Sequence, residues 1–263
     1  MNINRIYALI LRHTFLYKRS LPRLMEIFYW PLLDLIVWGF ITVYLSQFKS
    51  GLPNVVAFFI GALILWDILF RAQQGITISF LEEIWSRNLM NLFASPVKPA
   101  EFLAATMIIS LCKVGAVLIV SVLVAWLFYS FNLFVLGISL IPFILNLIFM
   151  GWAIGILTTG IIMRYGQEAE VMAWGMVFIF QPVSCVFYPV SVLPEFLQII
   201  ATCIPASHVF EGMRTVITHN TFPLDSLLWA TALNAAYLIA AISWFHYTYD
   251  VVKEKGRLVR VGE

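Results

Sequence analysis

The sequence predicts an all-α membrane protein with six transmembrane helices. Of its 263 residues, 62% are hydrophobic and only 11% are charged, against about 25% charged residues in a typical soluble domain. Apolar runs of about 20 residues, the length that crosses a bilayer as a helix, recur along the chain. A chain of this composition has too little polar surface to cover a soluble globule.

The first 25 residues predict an amphipathic helix at the membrane interface. Basic residues interrupt every apolar run and no small-residue cleavage site follows, which argues against a signal peptide. Apolar residues follow helical spacing, while Arg5, Arg12 and Arg19 recur every seven residues on the other side. Such a helix is expected to lie in the plane of the cytoplasmic interface, its arginines toward anionic headgroups.

Six apolar stretches are predicted to span the bilayer. They cover residues 26–46, 54–74, 102–129, 133–163, 169–187 and 227–247. Lys and Arg are concentrated at the N-terminus, in 71–100, and in the basic tail at 248–263, whereas the loop near residue 130 has neither. Because cytoplasmic loops carry the excess of Lys and Arg, both termini and the 80–101 segment are expected in the cytoplasm.

The segment from about 188 to 218 is irregular. Pro182 just before it and Pro189, Pro194 and Pro205 within it break any long helix, yet the segment is too apolar for a free loop. A pair of short re-entrant helices, buried against protein in the outer leaflet, satisfies both facts. Glu211 and Arg214 follow at a spacing of three residues, which favours an ion pair.

The segment at about 80–101 is too polar for hydrocarbon and predicts one amphipathic cytoplasmic helix. Its polar residues Glu82, Glu83, Arg87 and Asn88 are expected to face outward. The residues of its apolar stripe are Leu81, Ile84, Trp85, Leu89, Leu92 and Phe93.

Asp34, Asp67, Arg71 and Lys113 lie away from the ends of the predicted spans, and an ionisable residue costs about 2.5–3.5 kcal/mol at the bilayer centre on insertion scales. Asp67 and Arg71 share a helix face, and Asp34 and Lys113 are candidates for a pair between helices. These residues fit either a translocation path or polar lock at a dimer seam, or purely structural pairs. The G-x-x-x-G at Gly151 and Gly155 likewise fits either dimerisation or packing within one subunit.

Motifs for catalysis are missing. The sequence has no G-x-x-x-x-G-K-[ST], no H-E-x-x-H and no G-x-S-x-G, and its three cysteines lack metal-ligand spacing. We therefore expect no enzyme activity, no metal and no cofactor in this chain, and no nucleic acid partner. If transport is driven by ATP, hydrolysis belongs to another subunit.

The sequence resembles a permease subunit of the ABC-2 type exporters. The resemblance rests on the basic N-terminus, on LEEIWSRNLMNLFASPVKPAEF at 81–102 and on YPVSVLPEFLQIIATCIPASHVFEGMR at 188–214. It implies a six-span half-channel that pairs with a second copy and with two copies of an ATPase subunit, which binds ATP and Mg²⁺. It also implies a bacterial inner membrane location.

The same resemblance assigns roles to particular segments. Residues 80–101 would be the coupling helix, with an ATPase-contacting set comprising Glu82, Glu83, Trp85, Arg87 and Asn88. The short helices after the fifth span would cap the exit, with Glu211 and Arg214 at the outer gate.

Two other function classes remain open from the sequence. An ATP-independent secondary transporter or channel predicts inverted repeats, and residues 26–129 show no convincing similarity to 133–247. A scaffold or enzyme subunit would not need an amphipathic cytoplasmic helix between spans. No residue selects among glycan, glycolipid, drug and peptide substrates.

Overall fold

Helices account for nearly all of the chain in a computed structural model that describes residues 1–46 and 55–255. No β-strand occurs in these two ranges, so the all-α class is confirmed. The α-helices are α1 (Ile3–Lys18), α2 (Leu21–Ser46), α3 (Val55–Trp85), α4 (Leu89–Ala94), α5 (Pro99–Tyr129), α6 (Leu140–Tyr165), α7 (Met172–Phe180), α8 (Glu195–Thr202), α9 (Pro205–His219) and α10 (Leu224–Glu254). Short 3₁₀ segments cover Leu133–Ser139, Gly166–Ala169 and Val190–Val192.

Helix α3 lies at the centre of the molecule and packs against α2, α5, α6 and α7. Small residues allow these close approaches. A Cβ atom added at Gly75 would lie 2.5 Å from the Ser110 side chain, and the Ser110 hydroxyl donates to the Ala72 carbonyl at 3.0 Å. The helix therefore joins the two ends of the protein through one rigid, buried element.

The small residues Gly151 and Gly155 of α6 face α3 in the same chain. A Cβ added at Gly151 would lie 2.5 Å from the Leu69 carbonyl oxygen, and one at Gly155 would lie 2.8 Å from that of Gln73. Of the two interpretations left open by the sequence, packing within one subunit is the one observed.

Five helical stretches in the described ranges are long and apolar enough to cross a membrane: Leu21–Tyr44, Phe58–Trp85, Pro99–Tyr129, Leu133–Tyr165 and Leu224–Glu254. They match five of the six predicted spans, although α3 extends 11 residues beyond the predicted end at Gln74. The predicted span at 169–187 is not one long helix, because α7 ends at Phe180 and turns follow. Pro182 follows that end closely and has no N–H with which to continue a helix.

Helix α1 packs against α5, and its predicted location at the cytoplasmic interface stays a prediction. Its first turn contacts the start of α5, where the Asn2 amide donates to Glu101 at 2.7 Å. Near its other end, the Lys113 ammonium of α5 donates to the Tyr17 hydroxyl at 2.6 Å. Helix α1 thus runs alongside the first half of α5.

Arg5 and Arg12 of α1 lie differently from the prediction, whereas Arg19 is exposed. Arg5 and Arg12 bind carboxylates of the same chain rather than facing headgroups. An apolar stripe of Ile3, Tyr7, Leu11 and Phe15 stays exposed. Contact of that stripe with lipid remains a prediction.

The irregular region before α10 contains two short helices, α8 and α9, as the prolines predicted. Whether these helices enter the outer leaflet stays a prediction. Of the basic tail at 248–263, residues 256–263 lie outside the described ranges, as do residues 47–54 between α2 and α3.

Candidate functional site: an exposed corner and a central cleft

The segment predicted as one helix at 80–101 is instead a corner made of three parts. Helix α3 continues to Trp85, α4 covers Leu89–Ala94, and α5 begins at Pro99. We call residues 85–98 the corner. The side chain of Phe93 is outside the described part of the structure.

Helix α3 ends in a Schellman motif, which the sequence pattern does not predict. Arg87 has a φ of 51°, its amide donates to the Ile84 carbonyl at 2.8 Å, and the Asn88 amide donates to the Glu83 carbonyl at 2.9 Å. These are the two bonds of that motif, whose left-handed position is usually glycine. An arginine at this position is strained. The helical spacing of apolar residues in the sequence continues through this point although the backbone turns here.

The carboxylates Glu82 and Glu83 were predicted to face outward, and this was wrong. Their exposed fractions are 3% and 0%, because α1 covers them. The Glu83 carboxylate accepts hydrogen bonds from Arg12 and from the Asn88 amide group, the latter at 2.7 Å. Ion pairs with α1 therefore stabilise the end of α3.

Glu82 lies in the same group of charges. His13 Nδ1 is 3.2 Å from a Glu82 oxygen, and Arg23 Nε is 3.6 Å from the other. His13 Nε2 is also 3.5 Å from Glu83. We call Arg12 and His13 of α1, Arg23 of α2, and Glu82 and Glu83 of α3 the ion-pair cluster. Burial and the nearby Glu82 carboxylate raise the pKa of the Tyr17 phenol, which therefore stays protonated beside the cluster.

Helix α1 also holds the start of α5. The Glu101 carboxylate accepts from the Lys98 amide at 3.0 Å and from the Asn2 amide at 2.7 Å, and Arg5 lies 3.5 Å away. An acidic residue in the first turn caps the exposed N–H groups of a helix. Because α1 contacts both α3 and α5, it fixes the two helices that flank the corner.

The outer face of the corner remains exposed. Trp85 is 47% exposed and Met90 is 50% exposed, and Arg87 and Asn91 are exposed beside them. Exposed apolar groups among polar ones are typical of a surface that binds another protein. Asn88 is half-buried and turns inward to Glu83.

Trp85 connects the corner to α7. Its indole N–H donates to the Glu170 carboxylate at 3.0 Å, and its ring stacks on Trp174 with 6.4 Å between centroids. A displacement of the corner would therefore reach α7 as well as α3.

A cleft of about 520 Å³ lies between α2, α3 and the chain around α7, and we call it the central cleft. Asp34 and Asp67 line it, and Ser121 and Gln181 add two neutral polar groups. Its aromatic lining residues are Trp38, Phe59, Trp66, Phe70, Phe178 and Phe187. Cavities of this volume with apolar walls and few polar groups are typical small-molecule sites.

The predicted intramembrane charges are only partly brought together. Arg71 Nε lies 3.3 Å from Asp67, its Nη1 donates to Gln74 at 3.1 Å, and Asp34 lines the same cleft as Asp67. The predicted Asp34–Lys113 pair is wrong. Lys113 turns away to α1, where its ammonium lies 4.3 Å from the centroid of the Tyr17 ring.

The predicted Glu211–Arg214 pair is confirmed at 2.9 Å. Glu211 also accepts from the Val190 amide at 2.7 Å, and Arg214 donates to the Cys185 and Val186 carbonyls. The pair thus ties α9 to the chain between α7 and α8. A role as an outer gate remains a proposal.

Several residues at these sites were not predicted from the sequence. Arg12, His13, Arg23 and Glu101 make contacts on the two sides of the corner, at the end of α3 and the start of α5, and Gln181 lines the cleft. The arginines were noticed only as a basic face. Their acidic partners are about 60–70 positions away along the chain, and helical periodicity carries no signal over such separations.

These features define a multi-pass membrane protein with a braced, exposed corner at one end and a central cleft. A comparison with protein families shows the family: residues 32–245 match the model of the ABC-2 family transporter proteins. Because the match covers most of the chain, the protein belongs to this family, whose permeases normally work with an ABC ATPase partner. A search of curated proteins found no match.

Proposed function

We propose that this chain is the transmembrane permease subunit of an ATP-driven exporter in a bacterial inner membrane. It would pair with a second copy and with two ATPase subunits, and the substrate would be amphipathic, lipid-linked or glycan-type. Family membership supports the transport role. The observation that carries the coupling role is the corner, whose inner side is held by ion pairs to α1 while its outer face is exposed.

Force at the corner would reach the central cleft along two elements. Helix α3 carries Trp85 at one end and Asp67 in the cleft. Trp174, near the start of α7, contacts Trp85, and Phe178 of the same helix lines the cleft. A rigid, tightly packed element transmits displacement rather than absorbing it.

A sixth crossing would complete this arrangement. The chain from 170 to 187 follows α3, since Glu170 binds Trp85, Phe178 contacts Phe70 and Phe187 stacks on Phe59. Residues 59–85 of α3, beside which this segment runs, cover about 39 Å along the helix axis. This length exceeds the ~30 Å thickness of the hydrocarbon core. The segment would therefore traverse the membrane as a short helix followed by turns. Six crossings would put both termini on the same side, and the basic N-terminal region favours the cytoplasm.

ATP and Mg²⁺ would be bound by the partner, because this sequence has no phosphate-binding loop. The corner would contact that partner through Trp85, Arg87, Met90 and Asn91. Glu82 and Glu83 would act indirectly, by holding the corner to α1.

We expect Arg87→Glu combined with Met90→Glu to weaken retention of the ATPase subunit at least about tenfold, which corresponds to about 1.4 kcal/mol of binding free energy. Both side chains are exposed, so the unfolding temperature should stay unchanged. The measurement is the ATPase retained per tagged permease after purification from native membranes in mild detergent.

Lys253→Glu is the matched control, because Lys253 is exposed near the end of α10 and its reversal leaves the corner intact. Retention should be normal in this variant. Normal retention in the Arg87→Glu, Met90→Glu variant as well would remove the corner as the ATPase contact.

A further inference from the structure

Two carboxylates, Asp34 and Asp67, line the central cleft, and the charge of Arg71 acts on both of them, so these three side chains carry one net negative charge. Asp67 is paired with Arg71, whereas Asp34 has no ion pair within 4.0 Å among the described residues. No Lys, Arg or His lines the cleft in the described ranges. A carboxylate in this setting favours a cation as its neighbour, because an unpaired charge inside a membrane costs about 2.5–3.5 kcal/mol on insertion scales.

The walls of the cleft favour the same kind of ligand. Six aromatic side chains line it, and the faces of aromatic rings attract cations. Two of them, Trp38 and Phe187, come from separate parts of the chain, α2 and the turn after α7. An organic cation with an apolar body would bury that body against the rings and bring its charge to Asp34.

Other substrate classes fit this cleft less well. A glycan brings many hydroxyl groups, and the cleft offers few polar partners besides Asp34, Ser121 and Gln181. The Thr42 hydroxyl already donates to the Trp38 carbonyl at 2.7 Å. Buried hydroxyls without partners each cost about 1–3 kcal/mol. An anionic amphiphile would face the Asp34 carboxylate, and an uncharged one would leave it unpaired.

We propose that the central cleft binds a cationic amphiphile, with Asp34 as the counter-charge and the aromatic walls around its apolar body. This inference rests on the proposed transport function, because it names the substrate class of that site. Asp34 is the residue that selects for positive charge, and the rings of Trp38 and Phe187 supply apolar contact.

Tetraphenylphosphonium and tetraphenylborate provide the test, because they share size and shape and differ in charge. The purified full chain is placed in nanodiscs of neutral lipid, and saturable binding is measured against empty nanodiscs by equilibrium dialysis. We expect saturable binding of the phosphonium alone. Asp34→Asn should weaken it about tenfold, because the amide keeps the shape of the side chain and removes its counter-charge.

Asp225→Asn is the matched control, since Asp225 is an exposed acid at the start of α10 and its loss should leave binding unchanged. Trp38→Leu keeps the charge and should weaken binding through the lost ring contact, a second test that does not touch Asp34. Equal binding of both ions, no saturable binding of either, or unchanged affinity in Asp34→Asn would each overturn the proposal.

The binding result is independent of the ATPase. If ATPase co-purifies but the phosphonium does not bind at Asp34, the substrate class is wrong and the exporter assignment stands. If binding depends on Asp34 but no ATPase co-purifies, the cation site stands and the ATP-driven mechanism is wrong.

Discussion

Reversing the charge of Glu83 (Glu83→Arg) is expected to release α1 from the corner and to lower the free energy of unfolding by about 3 kcal/mol. Glu83 is fully buried and faces Arg12 and His13, so an arginine there would meet positive charge. Breaking a buried ion pair costs about 3–5 kcal/mol. The lower end applies because Arg12 keeps 31% of its side chain exposed.

Thermal unfolding in detergent, followed by size-exclusion chromatography, measures this effect. Arg87→Glu is the control, because Arg87 is exposed only four positions away and its reversal should leave the unfolding temperature near that of the native protein. Adding Arg12→Glu to Glu83→Arg should restore part of the loss by re-forming the pair in the opposite sense. Equal unfolding temperatures for Glu83→Arg and the native protein would show that the cluster does not hold α1.

Replacing Gly151 by leucine is expected to force α6 away from α3 and to reduce the yield of folded protein severely. A Cβ at this position would lie 2.5 Å from the Leu69 carbonyl and 3.0 Å from the Gln73 amide, both backbone atoms of a buried helix. Overpacking a core costs about 1–3 kcal/mol and occasionally more. The larger cost is expected here because the Leu69 and Gln73 atoms in the way belong to the backbone of α3 and not to the end of a flexible side chain.

Gly115→Leu makes the same change at a glycine of α5, where an added Cβ meets nothing within 4 Å. Its folded yield in detergent should match that of the native protein. The interpretation of the α3–α6 contact would be wrong if Gly151→Leu eluted as the same monodisperse peak at the same yield as Gly115→Leu.

Much of this architecture follows from local sequence. Long apolar runs predicted five of the helices, and the prolines around 182–205 predicted the short helices before α10. The start of α5 is equally local, because Pro99 and Glu101 occupy the positions that proline and an acidic residue favour in a first turn.

The corner could not be predicted in the same way. Apolar spacing continues from Leu81 to Leu92, so periodicity favoured one helix, and the residue at the left-handed position is Arg87 rather than glycine. The burial of Glu82 and Glu83 depends on α1, which lies about 70 residues earlier in the chain. From sequence alone, an acidic residue on a helix is predicted to be exposed to solvent, because its buried partner is not known.

The charged residues of the cleft were predicted from the sequence, but the shape of the cleft was not. Asp34, Asp67 and Arg71 stood out because ionisable residues are costly in a membrane, and Asp67–Arg71 has local spacing. Which of two helices Lys113 faces is a matter of tertiary packing, and it faces Tyr17 of α1. The aromatic walls come from three separate stretches of the chain, a grouping that no local pattern encodes.

The claim that this permease is driven by a separate ATPase is tested most directly by purifying the tagged chain from native membranes in mild detergent and measuring ATP hydrolysis in the eluate. We expect Mg²⁺-dependent ATP hydrolysis, an ATPase subunit in equal amount to the permease, and loss of both when Arg87 and Met90 are replaced by glutamate. A folded permease that elutes alone, with no ATP hydrolysis, would contradict the account.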